Sequence, residues 1–116
     1  MSETALRETM TRLARSLFER GYAVGSAGNI SAAVEDGLLI TPTNSCLGFL
    51  DPARIAKIDR LGRHVSGDPP SKEVFLHQAF YETRLGTGAV VHLHSTHAVA
   101  VSMLPAIDPA DALRKT

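Results

Sequence analysis

Ile30-Ser31-Ala32-Ala33-Val34, then Glu35-Asp36-Gly37, then Leu38-Leu39-Ile40-Thr41: two short aliphatic runs joined by a tight acidic-glycine turn read as a β-hairpin. Pro42 ends the returning strand, because proline has no N–H to give to a ladder. A hairpin fixes antiparallel pairing, and that decides the fold. Strands and helices alternate along the chain, which alone would admit a doubly wound parallel sheet. A second hairpin, read over residues 55–59 and 63–66 around Leu61-Gly62, repeats the antiparallel signal. The expectation is helices layered on a mainly antiparallel sheet.

Upstream of the hairpin, Leu6, Met10, Leu13 and Leu17 recur at helical spacing with Ala14 and Phe18 beside them. Arg7, Glu8, Arg12 and Arg15 fall elsewhere on the wheel. The spacing predicts an amphipathic helix over 3–20, with Ser2 as its N-cap and Gly21 just past its end. A small-residue loop, Gly25-Ser26-Ala27-Gly28-Asn29, leads into the hairpin. Downstream, Thr43-Asn44-Ser45 is a polar loop and Asp51-Pro52 opens a short helical turn. Gly67-Asp68-Pro69-Pro70 is a rigid loop, after which Ser71 caps a helix running to about Arg84. Ala89-Val90-Val91-His92-Leu93-His94 is the clearest strand, read as buried, and 96–104 is a helix stopped at Pro105. Segment 108–116 is polar and brings no element to cover that last helix.

Acidic and basic residues balance, 12 against 12, and neither sign forms a run. With no basic stripe and few aromatic platforms, nucleic acid and anionic membranes are not expected partners. Cys46 is the single cysteine, so no intrachain disulfide forms and a reducing compartment is the natural reading. The charged N-terminus lacks the apolar core of a signal peptide. No apolar run approaches the ~20 residues of a membrane span. A cytoplasmic location is expected.

The chemistry-bearing residues are few. His92 and His94 lie two apart on one strand, and side chains two apart share a face. Two imidazoles on one face suit capture of one metal ion, zinc among others; two hydrogen-bonded histidines at a strand end are the alternative. Glu73 falls in the first helical turn after Ser71. A carboxylate there interacts favourably with the helix dipole, and facing a bound substrate it could instead move a proton. Gly28-Asn29, Thr43-Asn44-Ser45 and the helix start at Ser71 are potential anion sites, although such loops are often only turns. His77, inside the helix, reads as structural. No Walker or dinucleotide-binding glycine pattern is present, so a nucleotide cofactor is not expected.

Taken in order, Ser26-Ala-Gly-Asn-Ile-Ser31, Ile40-Thr-Pro-Thr43, Pro70-Ser-Lys-Glu73, Leu76-His77 with Tyr81, and Val90-Val-His-Leu-His-Ser95 resemble the class II aldolase/adducin family. The match runs from the first helix to Leu104. The resemblance implies a three-layer α/β/α sandwich around a mainly antiparallel sheet, usually a homotetramer. It implies that Gly28, Asn29, Thr43, Asn44 and Ser71 hold a substrate phosphate, that Glu73 is the acid/base, and that His92 and His94 bind a divalent metal such as Zn2+. Asn44 stands where many relatives carry glycine.

Within the family, Thr41-Pro-Thr-Asn-Ser-Cys-Leu-Gly48, Ser71-Lys-Glu73 and His92-Leu-His-Ser-Thr-His97 look most like the 3-oxo-tetronate 4-phosphate decarboxylase subgroup. Aldolases of the family usually read Ser-Ser-Glu where this chain has Ser71-Lys72-Glu73, and Lys72 suits a substrate carboxylate. The expected activity is a metal-dependent carbon–carbon lyase acting on a phosphorylated sugar acid, with a fuculose-phosphate-type aldolase as the alternative. An inactive fragment or an adducin-like interaction module is the reading of another class. The family normally continues for about another half, including a third histidine ligand. Residues 1–116 are thus expected to be the N-terminal portion of one such domain, apparently truncated at its C-terminus.

Overall fold

The computed structural model describes residues 1–105 and Ala110. Helix α1 (Glu3–Glu19) starts where the Ser2 hydroxyl accepts the Ala5 N–H at 3.1 Å. It ends where Gly21 turns to φ +81° and gives its N–H to Phe18 O. Its buried line runs through Met10 and Ala14, flanked by Leu6, Leu17 and Phe18. Leu13, which the heptad-like spacing put on that line, is more than half exposed. The apolar stripe rotates toward Ala14 and Phe18, leaving Leu13 at its rim. Arg7, expected on the solvent side, is instead drawn under the helix, where its Nη1 donates to Ile55 O at 2.6 Å and Pro52 O at 3.1 Å.

Five strands follow: β1 (Asn29–Val34), β2 (Gly37–Ile40), β3 (Ala56–Asp59), β4 (His64–Ser66) and β5 (Ala89–His92). Their order is β4-β3-β2-β1-β5, and every neighbouring pair is antiparallel. The first hairpin closes with only Glu35 and Asp36 outside the ladder, Val34 facing Gly37. No side chain fits at Gly37, since a Cβ there would lie 1.8 Å from Ile58 O. In the second hairpin Asp59 organises the turn, its Oδ1 accepting the N–H groups of Leu61 and Arg63.

The two faces of the sheet differ, and period-two alternation explains how. Ile30, Ala32 and Leu39 point to one face and pack with Met10, Ala14, Leu47 and Ile55 under α1 and the loops. Ile40, Ala56 and Ile58 point to the other and meet Val74 at the start of helix α2 (Val74–Thr83). Helix, sheet, helix is the three-layer order expected. Beside that small apolar cluster the α2 face is polar: Asn29, Ser31 and His77 are all buried there.

Three boundaries moved. The Ser71-Lys72-Glu73 segment is a turn rather than the first turn of α2; the Ser71 Oγ accepts the Glu73 N–H at 3.2 Å, and Val74 N–H bonds back to Ser71 O. The Ser71 N–H itself is held by Thr41 O at 3.1 Å, which ties the turn to the end of β2. The strand read as buried over 89–94 ends at His92 and is an edge among the described residues, with Ala89 and Val91 exposed. It stops where β1 begins, because Asn29, the first residue of β1, faces His92. Helix α3 (Thr96–Ser102) is shorter than expected and has no buried residue. Segment 108–116, Ala110 aside, lies outside the described residues. No described helix is long and apolar enough to cross a membrane.

Candidate active site

Three separate stretches of chain meet at the start of β1. Thr41 joins two of them: its Oγ1 accepts the Ile30 N–H at 3.2 Å and its N–H bonds to Ile30 O. Thr41 O then takes the Ser71 N–H, carrying the connection to Glu73. The β1–β5 ladder brings in the third stretch, with Asn29 opposite His92. Gly28, at φ +85°, lets the chain turn into β1 under β5; a Cβ there would meet His92 O at 3.2 Å and Leu93 at 3.3 Å.

The result is a compact cluster. The Asn29 Nδ2 donates to Glu73 Oε2 at 2.6 Å, and His92 Nδ1 lies 2.8 Å from the same oxygen. The rings of His92 and His94 are 5.0 Å apart, centre to centre. One ligand atom from each of Glu73, His92 and His94 lies within 4.8 Å of the others. Glu73 is about a third exposed. The hydrogen bond from Asn29 holds its carboxyl below the usual range, partial burial opposes this, and the His92 and His94 imidazoles add to the lowering.

Two imidazoles and a carboxylate are a donor set that zinc and several other divalent ions accept. With their ligand atoms all within 4.8 Å of one another, the three side chains are close enough that they could hold one ion between them. Glu73, read from sequence as an acid/base alone, thus also stands at ligand distance. The fit extends outward. Metal-binding residues are normally held by hydrogen bonds behind them, and Asn29 supplies that here, its Oδ1 also 3.3 Å from His92 Nδ1.

Sequence reading gave His77 no role in the site, yet it lies directly behind these residues. Fully buried on α2, it hydrogen-bonds Asn29 Oδ1 through Nε2 and Ser31 Oγ through Nδ1 at 2.7 Å; Ser31 Oγ is in turn 2.9 Å from the Tyr81 hydroxyl. Burial, reinforced by His92, pushes the His77 imidazole down to about 4. Burial also pushes the Tyr81 phenol up, against hydrogen bonds with Ser31 and the Val90 backbone. Glu73, His77 and Tyr81 are spaced by four, one face of a helix. That spacing was the available signal.

Of the other residues expected at the site, Asn29 and Ser71 bond directly to Glu73, whereas Thr43, Asn44 and Lys72 make no hydrogen bond or ion pair with the cluster among the described residues. Asn29 commits its carboxamide to Glu73 and His77, so its side chain is engaged within the protein. Thr43 and Asn44 line a pocket with Ser45, Cys46, Arg54 and Asp68, in which Arg54 is paired with Asp68 at 2.7 Å. Asn44 has φ +57°, the left-handed region that glycine and asparagine adopt most readily. Ser71 is buried with its hydroxyl turned to the Glu73 N–H. Lys72 is exposed and has no ion-pair partner among the described residues. His97 sits exposed on α3.

An α/β/α half-sandwich with a carboxylate and two histidines gathered at the mouth of an antiparallel sheet defines a class, and comparison with known proteins agrees. Residues 8–115 match the Class II Aldolase and Adducin N-terminal domain, and the chain belongs to that family. It is 53% identical over 112 residues to the 3-oxo-tetronate 4-phosphate decarboxylase of Cupriavidus necator, covering 97% of this chain and 52% of that protein. It is 43% identical over 101 residues to the L-fuculose phosphate aldolase of Escherichia coli K12, covering 87% of this chain and 44% of the aldolase. The crystal structure of YgbL from Klebsiella pneumoniae superposes with a TM-score of 0.88 at 47% identity, over 94% of this chain and 53% of that one. The chain spans about half the length of the curated relatives it matches.

Proposed function

We propose that this chain carries the metal- and proton-handling part of a carbon–carbon lyase that decarboxylates 3-oxo-tetronate 4-phosphate to dihydroxyacetone phosphate and carbon dioxide. The observation that carries the reading is the convergence of Glu73, His92 and His94 in a chain this similar to the decarboxylases. The greater identity to those proteins than to the fuculose phosphate aldolase favours decarboxylation over aldol cleavage. Residues 1–116 form the N-terminal portion of a single domain, acting in the cytoplasm as part of a homotetramer.

His92 and His94 hold a divalent cation, zinc by preference, with Glu73 as the adjoining third donor. When bound, the cation supplies Lewis acidity to a carbonyl oxygen of the substrate. The bond between the substrate carboxylate and its α-carbon breaks, its electron pair passing into an enediolate. That carbon then needs a proton. A water held by the Glu73 carboxylate delivers the proton and regains one from solvent, and the two hydrogen-bond donors on Glu73 keep the carboxylate aimed at the cluster. Gly28, Thr43, Asn44 and Ser71 receive the phosphate, with the hydroxyls of Thr43 and Ser71 as donors. The exposed ammonium of Lys72, between Ser71 and Glu73, steers the substrate carboxylate.

Incubation of the purified chain with 3-oxo-tetronate 4-phosphate and Zn2+ is expected to release carbon dioxide and dihydroxyacetone phosphate, and a Glu73→Ala variant to release neither. Cleavage of fuculose 1-phosphate at a higher kcat/KM would hand the chain to the aldolases. A Lys72→Ser variant that decarboxylates as well as wild type would end the role given to Lys72. Less than about a tenth of an equivalent of zinc in chelator-free preparations would count against the metal site.

A further inference from the structure

Behind Glu73 runs a line of four hydrogen bonds, and its chemistry fixes which way each one points. Glu73 is a carboxylate at neutral pH and can only accept, so the Asn29 atom facing it is Nδ2. The Asn29 Oδ1 therefore faces His77, and the His77 Nε2 must carry the proton that bonds to it. A neutral imidazole then has a bare Nδ1, which accepts the Ser31 O–H at 2.7 Å. Ser31 has spent its one proton, so the Tyr81 O–H donates to Ser31 Oγ at 2.9 Å. No buried side-chain polar atom among the described residues lacks a partner, which is what a network with one permitted sense requires.

We propose that His77 is a positioning residue: held as the Nε2–H tautomer by Ser31 and Tyr81, it locks the Asn29 carboxamide, and through it the Glu73 carboxylate, in a single orientation toward His92. The proposal builds on the metal and acid/base reading of Glu73 and names what aims it. Two geometric facts set it apart from ordinary packing. His77 is wholly buried, yet both its ring nitrogens go to hydroxyl or amide groups. The amide it holds is also the residue opposite His92 in the β1–β5 ladder, so one locked carboxamide registers Glu73 against both the helix layer and the edge strand. Without the His77 donor, the Asn29 amide is free to rotate about its last torsion, and Glu73 loses a fixed partner.

The test uses the 116-residue chain and three variants. Long-range 1H–15N spectra of the metal-free protein are expected to show His77 protonated on Nε2 and bare on Nδ1 between pH 6 and 8, with the Asn29 amide protons widely split and slow to exchange. His77→Phe keeps a buried ring without the donor and is expected to collapse that Asn29 signature. His77→Gln places an amide N–H near the position of Nε2 and is expected to restore it. Tyr81→Phe leaves Ser31 without its donor and is expected to keep the tautomer while speeding Asn29 exchange. In a parallel titration with Co2+, followed by its visible absorption, His77→Phe is expected to weaken binding about tenfold and His77→Gln to recover most of that loss.

An Nδ1–H tautomer, or an Asn29 signature unchanged in His77→Phe, overturns the proposal. So does Co2+ affinity that falls equally in the Phe and Gln variants, since that would mark a purely structural residue. If the wild-type chain takes up no Co2+ while the tautomer and the Asn29 response are as expected, the metal reading fails and the positioning role stands.

Discussion

The Asn29 carboxamide and the Glu73 carboxylate are 44 residues apart in sequence and 2.6 Å apart in space. Their hydrogen bond joins the first residue of β1 to the turn before α2 and commits Asn29 inside the protein. An Asn29→Ala substitution therefore removes more than a surface ligand. It strands the buried His77 N–H and strips Glu73 of a charge-assisted donor. A loss of about 1–3 kcal/mol is expected in urea unfolding, together with a rise in the Glu73 carboxyl pKa by NMR. An unchanged midpoint would mean that the bond is not formed in solution.

His92 and His94 separate metal binding from stability. His94 is exposed and has no hydrogen-bond partner among the described residues, whereas His92 is hydrogen-bonded to Glu73. Both His92→Ala and His94→Ala are expected to abolish stoichiometric Zn2+ uptake measured by calorimetry. His94→Ala should leave unfolding within about 0.5 kcal/mol of wild type. Full zinc binding by either variant would remove that histidine from the ligand set.

The His77 imidazole sets a pH dependence whose sign follows from its depressed pKa. In the unfolded chain it titrates near the ordinary 6.5; in the fold it is pushed down to about 4. Between those values the unfolded chain binds more protons, so stability falls as pH drops. Above pH 6.5 the group is neutral in both states and contributes no slope. Two to three pH units at 1.36 kcal/mol each give a loss of about 3 kcal/mol by pH 4. Comparing wild type with His77→Gln in urea at pH 7.5 and pH 5 isolates this contribution, and equal slopes would contradict it.

Asn44 holds a left-handed conformation at φ +57°. Asn44→Gly should be tolerated with little change in stability. Asn44→Val, with a β-branched side chain in that region, should cost about 1–2 kcal/mol. Thermal unfolding of the two variants checks this, and equal melting temperatures would show that the loop does not keep this geometry.

What the sequence made legible was periodic. The first hairpin came from alternation and turn chemistry, and α1 with both its ends came from spacing and caps. The pairing of His92 with His94 came from a two-residue interval. What it left hidden depended on neighbours far along the chain. Nothing local says that β5 has one partner strand among the described residues rather than two, so the apolar run of Ala89, Val90 and Val91 was read as buried where these residues leave Ala89 and Val91 exposed. The heptad-like count placed Leu13 inward because it ignored how far Ala14 and Phe18 pull the stripe. His77 was passed over because a histidine inside a helix carries no mark of its own. Only when Glu73, His77 and Tyr81 are set at intervals of four against Asn29 and Ser31 at an interval of two does the buried network show. The layers and the family were readable from ordered motifs; which side chain holds which was not.

The unlike faces of the sheet carry a consequence for how this chain can vary. Along β1 the even-numbered residues Ile30 and Ala32 belong to the oily side, and the odd-numbered Asn29 and Ser31 to the wired side. Parity thus sorts mutations: a change at an even position should register first as a looser fold, and one at an odd position first as a misdirected site. A slip of a single residue in the pairing of β1 would exchange the two sides, burying Asn29 and Ser31 among leucines and offering Ile30 to Glu73. The same register that lets the protein fold is the one that assembles its chemistry, so neither can drift without the other.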